Sequence, residues 1–121
     1  MKSYKMTFGT IIKHDSNLAE IVVGEGVEMD LVQVKEYHNC LLSNLKAPFY
    51  VLVNRKYSYT YTFEAQKEIM SFDKIKKLAV LLVTHSALMS TETLLNLNEN
   101  INWEIASFRL KDDALAWLKE H

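Results

Sequence analysis

The sequence predicts an α/β fold with a mixed five-stranded sheet, in the order β-β-α-β-α-β-α-β-α. Three observations predict it. Residues 7–23 hold two runs rich in apolar and β-branched side chains around a turn signal. Two continuous apolar runs, 49–54 and 78–83, are short enough for strands and apolar enough to be covered on both faces. The last third, from Lys77, alternates strand, helix, strand, helix and closes on Lys111-Asp112-Asp113-Ala114-Leu115-Ala116-Trp117-Leu118.

Taken in order, residues 7–14 form a first strand, Asp15-Ser16-Asn17 a turn, and 18–23 a second strand, together an antiparallel hairpin. Gly24-Glu25-Gly26 breaks the second strand. Asp30 then caps a helix running to about Leu45, with Leu31, Val34, His38, Leu41, Leu42 and Leu45 on one stripe. Asn44 and the approach to Pro48 end it, because the residue before a proline avoids the helical region. Residues 49–54 are the third strand, and a polar, tyrosine-rich stretch follows at 55–61. Thr62 caps a short helix from Phe63 to about Met70. Residues 78–83 are the fourth strand, Ser86 caps a helix to about Leu97, and 103–108 are the fifth strand. Lys111 or Asp112 opens the last helix, with Ala114, Trp117 and Leu118 turned inward. Strands joined through helices are parallel neighbours with right-handed crossovers, so the hairpin adds an antiparallel edge to a mostly parallel sheet.

A chain of 121 residues fits one domain, 1–121, and buries enough surface to fold without a staple. Its net charge of -1 supplies no global basic field for a phosphate backbone, so no nucleic acid is expected as a partner. A single cysteine, Cys40, rules out an internal disulfide and argues against a thiolate metal cage. Residues 1–10 carry no signal-peptide core and the longest apolar run, 78–83, is too short to span a bilayer. The expectation is a cytoplasmic protein with no membrane span.

Most chemistry-bearing patterns are missing. His38 and Cys40 stand two apart on a helix and so point to different faces, while His14, His85 and His121 have no partner at ligand spacing; no metal and no cofactor are expected. Cys40 reads as a small core residue, because nothing places a base beside it. Glu25, Glu28 and Asp30 precede a helix, and Asp112 and Asp113 begin one, where negative charge is simply favourable. Gly9, Gly24 and Gly26 form no phosphate loop, and there is no Gly-x-Ser-x-Gly elbow. The sequence therefore points away from an enzyme.

Two candidate sites remain. Ligands of open α/β sheets prefer the carboxyl ends of the parallel strands. Those ends place Arg55, Lys56, His85, Ser86 and Arg109 in one neighbourhood, a cationic rim suited to an anionic ligand, with helix starts near Thr62 and Ser86. Tyr57, Tyr59 and Tyr61 alternate with Ser58, Thr60 and Thr62, so in an extended segment three rings share one face. That composition suits a surface for a protein partner, a second copy of the chain included.

The order of elements resembles the STAS domain of anti-sigma-factor antagonists, and within it the SpoIIAA-like (STAS/SEC14) group of small bacterial proteins. The residues that carry the resemblance are Lys77-Leu78-Ala79-Val80-Leu81-Leu82-Val83, the strand at 103–108 and Asp112-Asp113-Ala114-Leu115-Ala116-Trp117-Leu118. Gly24-Glu25-Gly26-Val27-Glu28 and Phe49-Tyr50-Val51-Leu52-Val53-Asn54 are similar too. The resemblance implies a non-enzymatic module that binds a protein partner or a small ligand, anionic or lipid-like. It also implies a regulatory phosphorylation at the start of the helix after the third strand, inside an Asp-Ser-Ser-Gly type turn. The matching stretch here, 54–62, lacks that Asp and Gly and offers Ser58, Thr60 and Thr62 as candidate phosphosites.

Overall fold

The computed structural model describes residues 1–82 and 104–120. The chain begins with strands β1 (Lys2–Lys5), β2 (Gly9–Asp15), β3 (Leu18–Val23) and β4 (Glu28–Met29), followed by helix α1 (Leu31–Asn44). It continues through β5 (Phe49–Arg55), β6 (Thr60–Tyr61), α2 (Phe63–Ser71) and β7 (Ile75–Leu82), then β8 (Glu104–Phe108) and α3 (Lys111–Lys119). The expected helix capped by Ser86, with His85, lies outside the described residues.

The main sheet has six strands in the order β1-β2-β3-β5-β7-β8. β1, β2 and β3 are antiparallel, and β3, β5, β7 and β8 run parallel. The α/β class and the hairpin leading into parallel strands are as the sequence predicts. The strand count is corrected from five to six, because Lys2–Lys5 pairs on the outside of the hairpin, Lys2 opposite Lys13 and Tyr4 opposite Ile11. β4 and β6 form a separate parallel pair, Glu28 opposite Thr60 and Met29 opposite Tyr61.

β5 is buried on both sides, and its alternation sorts the core. Phe49, Val51 and Val53 join Ile11, Ile21, Val34, Leu41, Ala65, Ile69 and Val80 in a large cluster that α1 and α2 cover. Tyr50 and Leu52 join Leu18, Ala79, Leu81, Ala114 and Leu118 in a smaller cluster that α3 covers from the other face. α1 begins with a capping box, Asp30 accepting from the Gln33 N–H while the Gln33 side chain accepts from the Asp30 N–H. Its buried face is Val34, Tyr37, His38, Cys40 and Leu41, continued by Leu45 beyond the helix end. Leu42, expected on that stripe, is turned outward because it follows Leu41 by about 100° of helical rotation.

One glycine is required by close approach. Gly9 opens β2 opposite Val23, and a Cβ there would run into the Val22 carbonyl oxygen. Gly26, at φ 74°, occupies the left-handed region in the turn before β4. Its N–H donates to the Ser58 carbonyl at 2.8 Å, tying that turn to the β5–β6 loop.

Candidate functional site: two polar clusters on opposite faces of the sheet

The first cluster forms at the carboxyl end of β5. Arg55 follows Val51 and Val53 by the two-residue period of a strand, so its side chain enters the face beneath the helices and is 2% exposed. Its Nη2 donates to the Tyr59 carbonyl oxygen at 2.9 Å, and the guanidinium lies 4.1 Å from the centre of the Tyr59 ring. Arg55 Nε has no hydrogen-bond partner, and among the described residues no carboxylate lies within ion-pair distance of the guanidinium.

Tyr59 and Tyr61 lie close enough for the Arg55 charge to act on their hydroxyls, and Tyr37 lies beside these two tyrosines. Tyr59 is 3% exposed and meets Tyr61 edge to face, the hydroxyls 3.0 Å apart. The Tyr37 hydroxyl, from α1, is buried without a partner. Burial pushes the hydroxyl pKa of all three above its ordinary value. Mutual proximity raises Tyr37 and Tyr61 further, while the Arg55 charge pulls Tyr59 and Tyr61 back down. All three hydroxyls therefore stay protonated near neutral pH, and one proton of the Tyr59–Tyr61 pair is already donated within it.

Two expectations are corrected here. Arg55 does not stand on an open rim: it is closed in, whereas Lys56 and Arg109 are exposed. The tyrosines do not share an outward face either. The β4–β6 pairing turns Tyr59 and Tyr61 over the core and leaves only Tyr57 of the three outside, 39% exposed with the Lys56 ammonium 5.1 Å from its ring centre. Among the candidate hydroxyls, Ser58 is fixed by its backbone, its N–H donating to Glu25 Oε2 at 2.9 Å. Thr60 is exposed, with its N–H donating to the Val27 carbonyl. Thr62 Oγ1 accepts from the Ala65 N–H at 3.1 Å and so caps α2. His85 and Ser86 lie outside the described residues.

The second cluster, on the α3 face, escaped the sequence reading. Glu20, in the middle of β3, is 1% exposed. Its Oε1 lies 2.7 Å from His14 Nε2 and 2.9 Å from Lys111 Nζ, and its Oε2 accepts from Asn54 Nδ2 at 2.9 Å. Burial pushes the Glu20 carboxyl up, but the bonds from Asn54, His14 and Lys111 together outweigh it and hold the pKa below its ordinary value. Asn54 Oδ1 is buried without a partner. The signal that marks Glu20 in the sequence is a lone carboxylate inside the otherwise apolar run Leu18-Ala19-Glu20-Ile21-Val22-Val23.

No family model, no curated protein and no solved structure matches this chain. Among the described residues no helix is long and apolar enough to cross a membrane, and no group of three or more His, Cys, Asp or Glu side chains is arranged to hold a metal ion. The functional reading therefore rests on the two clusters and on the surface near them.

Proposed function

We propose that this chain is a non-enzymatic binding domain that takes up a small anionic ligand at the carboxyl end of β5. The observation that carries this reading is Arg55, a buried guanidinium with an unpartnered Nε and no acid beside it among the described residues. A buried charge without a counter-charge costs several kcal/mol, and a single carbonyl and a ring face offset only part of that. A bound carboxylate or phosphoryl group would complete the site, with Arg55 as the cation and tyrosine hydroxyls as donors. The resemblance to the STAS/SEC14 group, whose members bind partners or small ligands, points the same way. Because the cluster is closed, uptake requires the β5–β6 loop to lift, which breaks the bond from the Gly26 N–H to the Ser58 carbonyl and the bond from the Ser58 N–H to Glu25.

Native mass spectrometry of the protein purified from its own cells tests the reading. Wild type should carry the extra mass of a small anion, and Arg55→Gln should lose it. Tyr37→Phe separates ligand binding from mere packing. It removes only an orphan hydroxyl, so a purely structural cluster should become as stable or more stable and keep any adduct. A binding site should lose occupancy instead. Wild-type protein free of adduct, with a melting temperature indifferent to a panel of small carboxylates and phosphates, would overturn the proposal.

A second reading, docking of a protein partner or a second copy, has its own observation. The β4–β6 pair sets the starts of α1 and α2 side by side, and Val32 and Phe63 stand there 75% and 67% exposed, at the same end of the molecule as Tyr57. This reading expects Phe63→Ser to dissociate an assembly detected by sedimentation without changing the fold.

A further inference from the structure

We propose that the chain pairs with a second copy of itself along β8, the two strands running antiparallel about a two-fold axis at Ala106, so that the two main sheets join into one. The main sheet ends in β1 on one side and β8 on the other, and the two edges are built differently. β1 carries Lys2 and Lys5 in a strand of four residues, and charge of that kind on an edge deters pairing with another chain. β8 is Glu-Ile-Ala-Ser-Phe, with no lysine, no proline and no register shift against β7. Among the described residues no strand pairs with its outer side. Alternate N–H and C=O groups along β8 therefore face outward without a strand partner.

The side chains along this edge fit a second strand better than water. Ile105 packs only partly buried against the large cluster, on one face of the sheet. Phe108 and Trp117, ring centroids 5.6 Å apart, lie partly buried against the smaller cluster on the other. Apolar side chains half covered on both faces gain cross-strand neighbours when the edge is paired. The charges set the direction and name the occupant. β8 opens on exposed Glu104 and is followed by exposed Arg109, and among the described residues neither is in an ion pair. Antiparallel pairing of two copies brings the acidic start of each strand to the basic end of the other, twice about the axis, whereas parallel pairing sets like charges together. A register centred on Ala106 keeps every side chain on its own face of the joined sheet, with Ala106 opposite its own image and Ile105 opposite Ser107 of the second copy. The net charge of -1 gives the two copies no strong mutual repulsion.

Sedimentation velocity of the full chain over a rising concentration series tests the pairing. Wild type should pass from monomer to dimer, and amide exchange along β8 should slow as it does. Glu104→Arg sets like charges together at both ends of the pair, and should raise the dissociation constant on the order of tenfold because the two-fold axis repeats the fault. The Glu104→Arg/Arg109→Glu double variant should recover most of that loss. Ser107→Lys gives β8 the device that β1 already has, and should also weaken the dimer. All three positions are exposed, so the monomer keeps its fold, which circular dichroism checks. Phe63→Ser should leave this dimer intact, which separates it from docking at the starts of α1 and α2. A wild type that stays monomeric up to its solubility limit, a dimer indifferent to Glu104→Arg and Ser107→Lys, or one that Phe63→Ser dissociates would each overturn the pairing.

Discussion

His38 lies under α1 with its ring stacked on Phe72, centroids 3.9 Å apart and planes 7° from parallel, and its Nε2 has no partner. Burial pushes its pKa down from 6.5 to about 4. Between those values the unfolded chain binds a proton that the folded chain refuses, so unfolding is favoured as pH falls. The stability involved is fully present above the unfolded value and is lost progressively from about pH 6.5 to about 4. The shift corresponds to roughly 3 kcal/mol. Urea melts across that range should show the slope in wild type and a flatter one in His38→Phe, which keeps the aromatic stack without the titrating nitrogen. Glu20 adds acid sensitivity from another direction. Its lowered pKa makes a contribution that is present above its ordinary value of 4.5 and fades as pH falls toward the lower folded value. The two residues differ in how they read in the sequence. His38 falls on a helical stripe and its burial is legible from spacing alone. Glu20 is conspicuous as a charge in an apolar strand, but its partners arrive from β2, β5 and the start of α3, and no local pattern announces them.

At the scale of elements, local chemistry was most readable where it acts through the backbone. Asp30 and Thr62 both cap the helices that spacing assigns to them. Asp30→Ala should cost about 1 kcal/mol, measurable as a lowered urea midpoint, because it removes one half of a reciprocal box and leaves the Gln33 N–H without its acceptor. Thr62→Ala should cost a similar amount, about 1 kcal/mol, and in addition loosen the β6–α2 junction. The elements that did not read from sequence are short. β4 and β6 have two residues each, a single period of alternation with no repeat to detect, and they exist because each completes the other. β1 is Lys-Ser-Tyr-Lys, a polar tetrapeptide whose one core-packed ring, Tyr4, gives no repeat to detect. The same limit misdirected the tyrosine ladder. Alternation at 57, 59 and 61 says that three rings share a side of an extended chain, but not which side, and the β4–β6 pairing turned Tyr59 and Tyr61 to the core.

Across the whole molecule, α3 holds the second face of the sheet and is itself held at both ends by the sheet. Lys111 at its start reaches Glu20, and Lys77 of β7, nearly buried, donates from Nζ to the carbonyl oxygens of Trp117 and Glu120 at 3.2 and 2.6 Å. The same ammonium lies 4.7 Å from the Trp117 ring centre. A cation at a helix C-terminus opposes the partial negative charge there. Lys77→Met keeps the apolar stem and removes the charge, so it should cost about 1–2 kcal/mol. Amide exchange should quicken over residues 117–120 while the amides of β5 keep their protection. The division of labour between the two faces was legible in the apolar runs of β5 and β7, which require cover on both sides. That a buried lysine would serve as the fastening was not, since Lys77 sits at the head of its run and reads there as a solvated boundary.

The main sheet follows the chain: β1, β2, β3, β5, β7 and β8 lie side by side in the order in which a ribosome makes them. Each strand finds its neighbour already present, and no earlier pair has to open to admit a later one. Growth by accretion of this kind suits a nascent polypeptide, with one exception. Among the described residues, the apolar patch of Leu18, Tyr50, Leu52, Ala79 and Leu81 acquires its cover from Ala114 and Leu118, so that cover arrives only when synthesis has passed α3. A chain stalled or cut before that point would lack the α3 cover of this apolar face, and quality control in the cell would meet the protein there first.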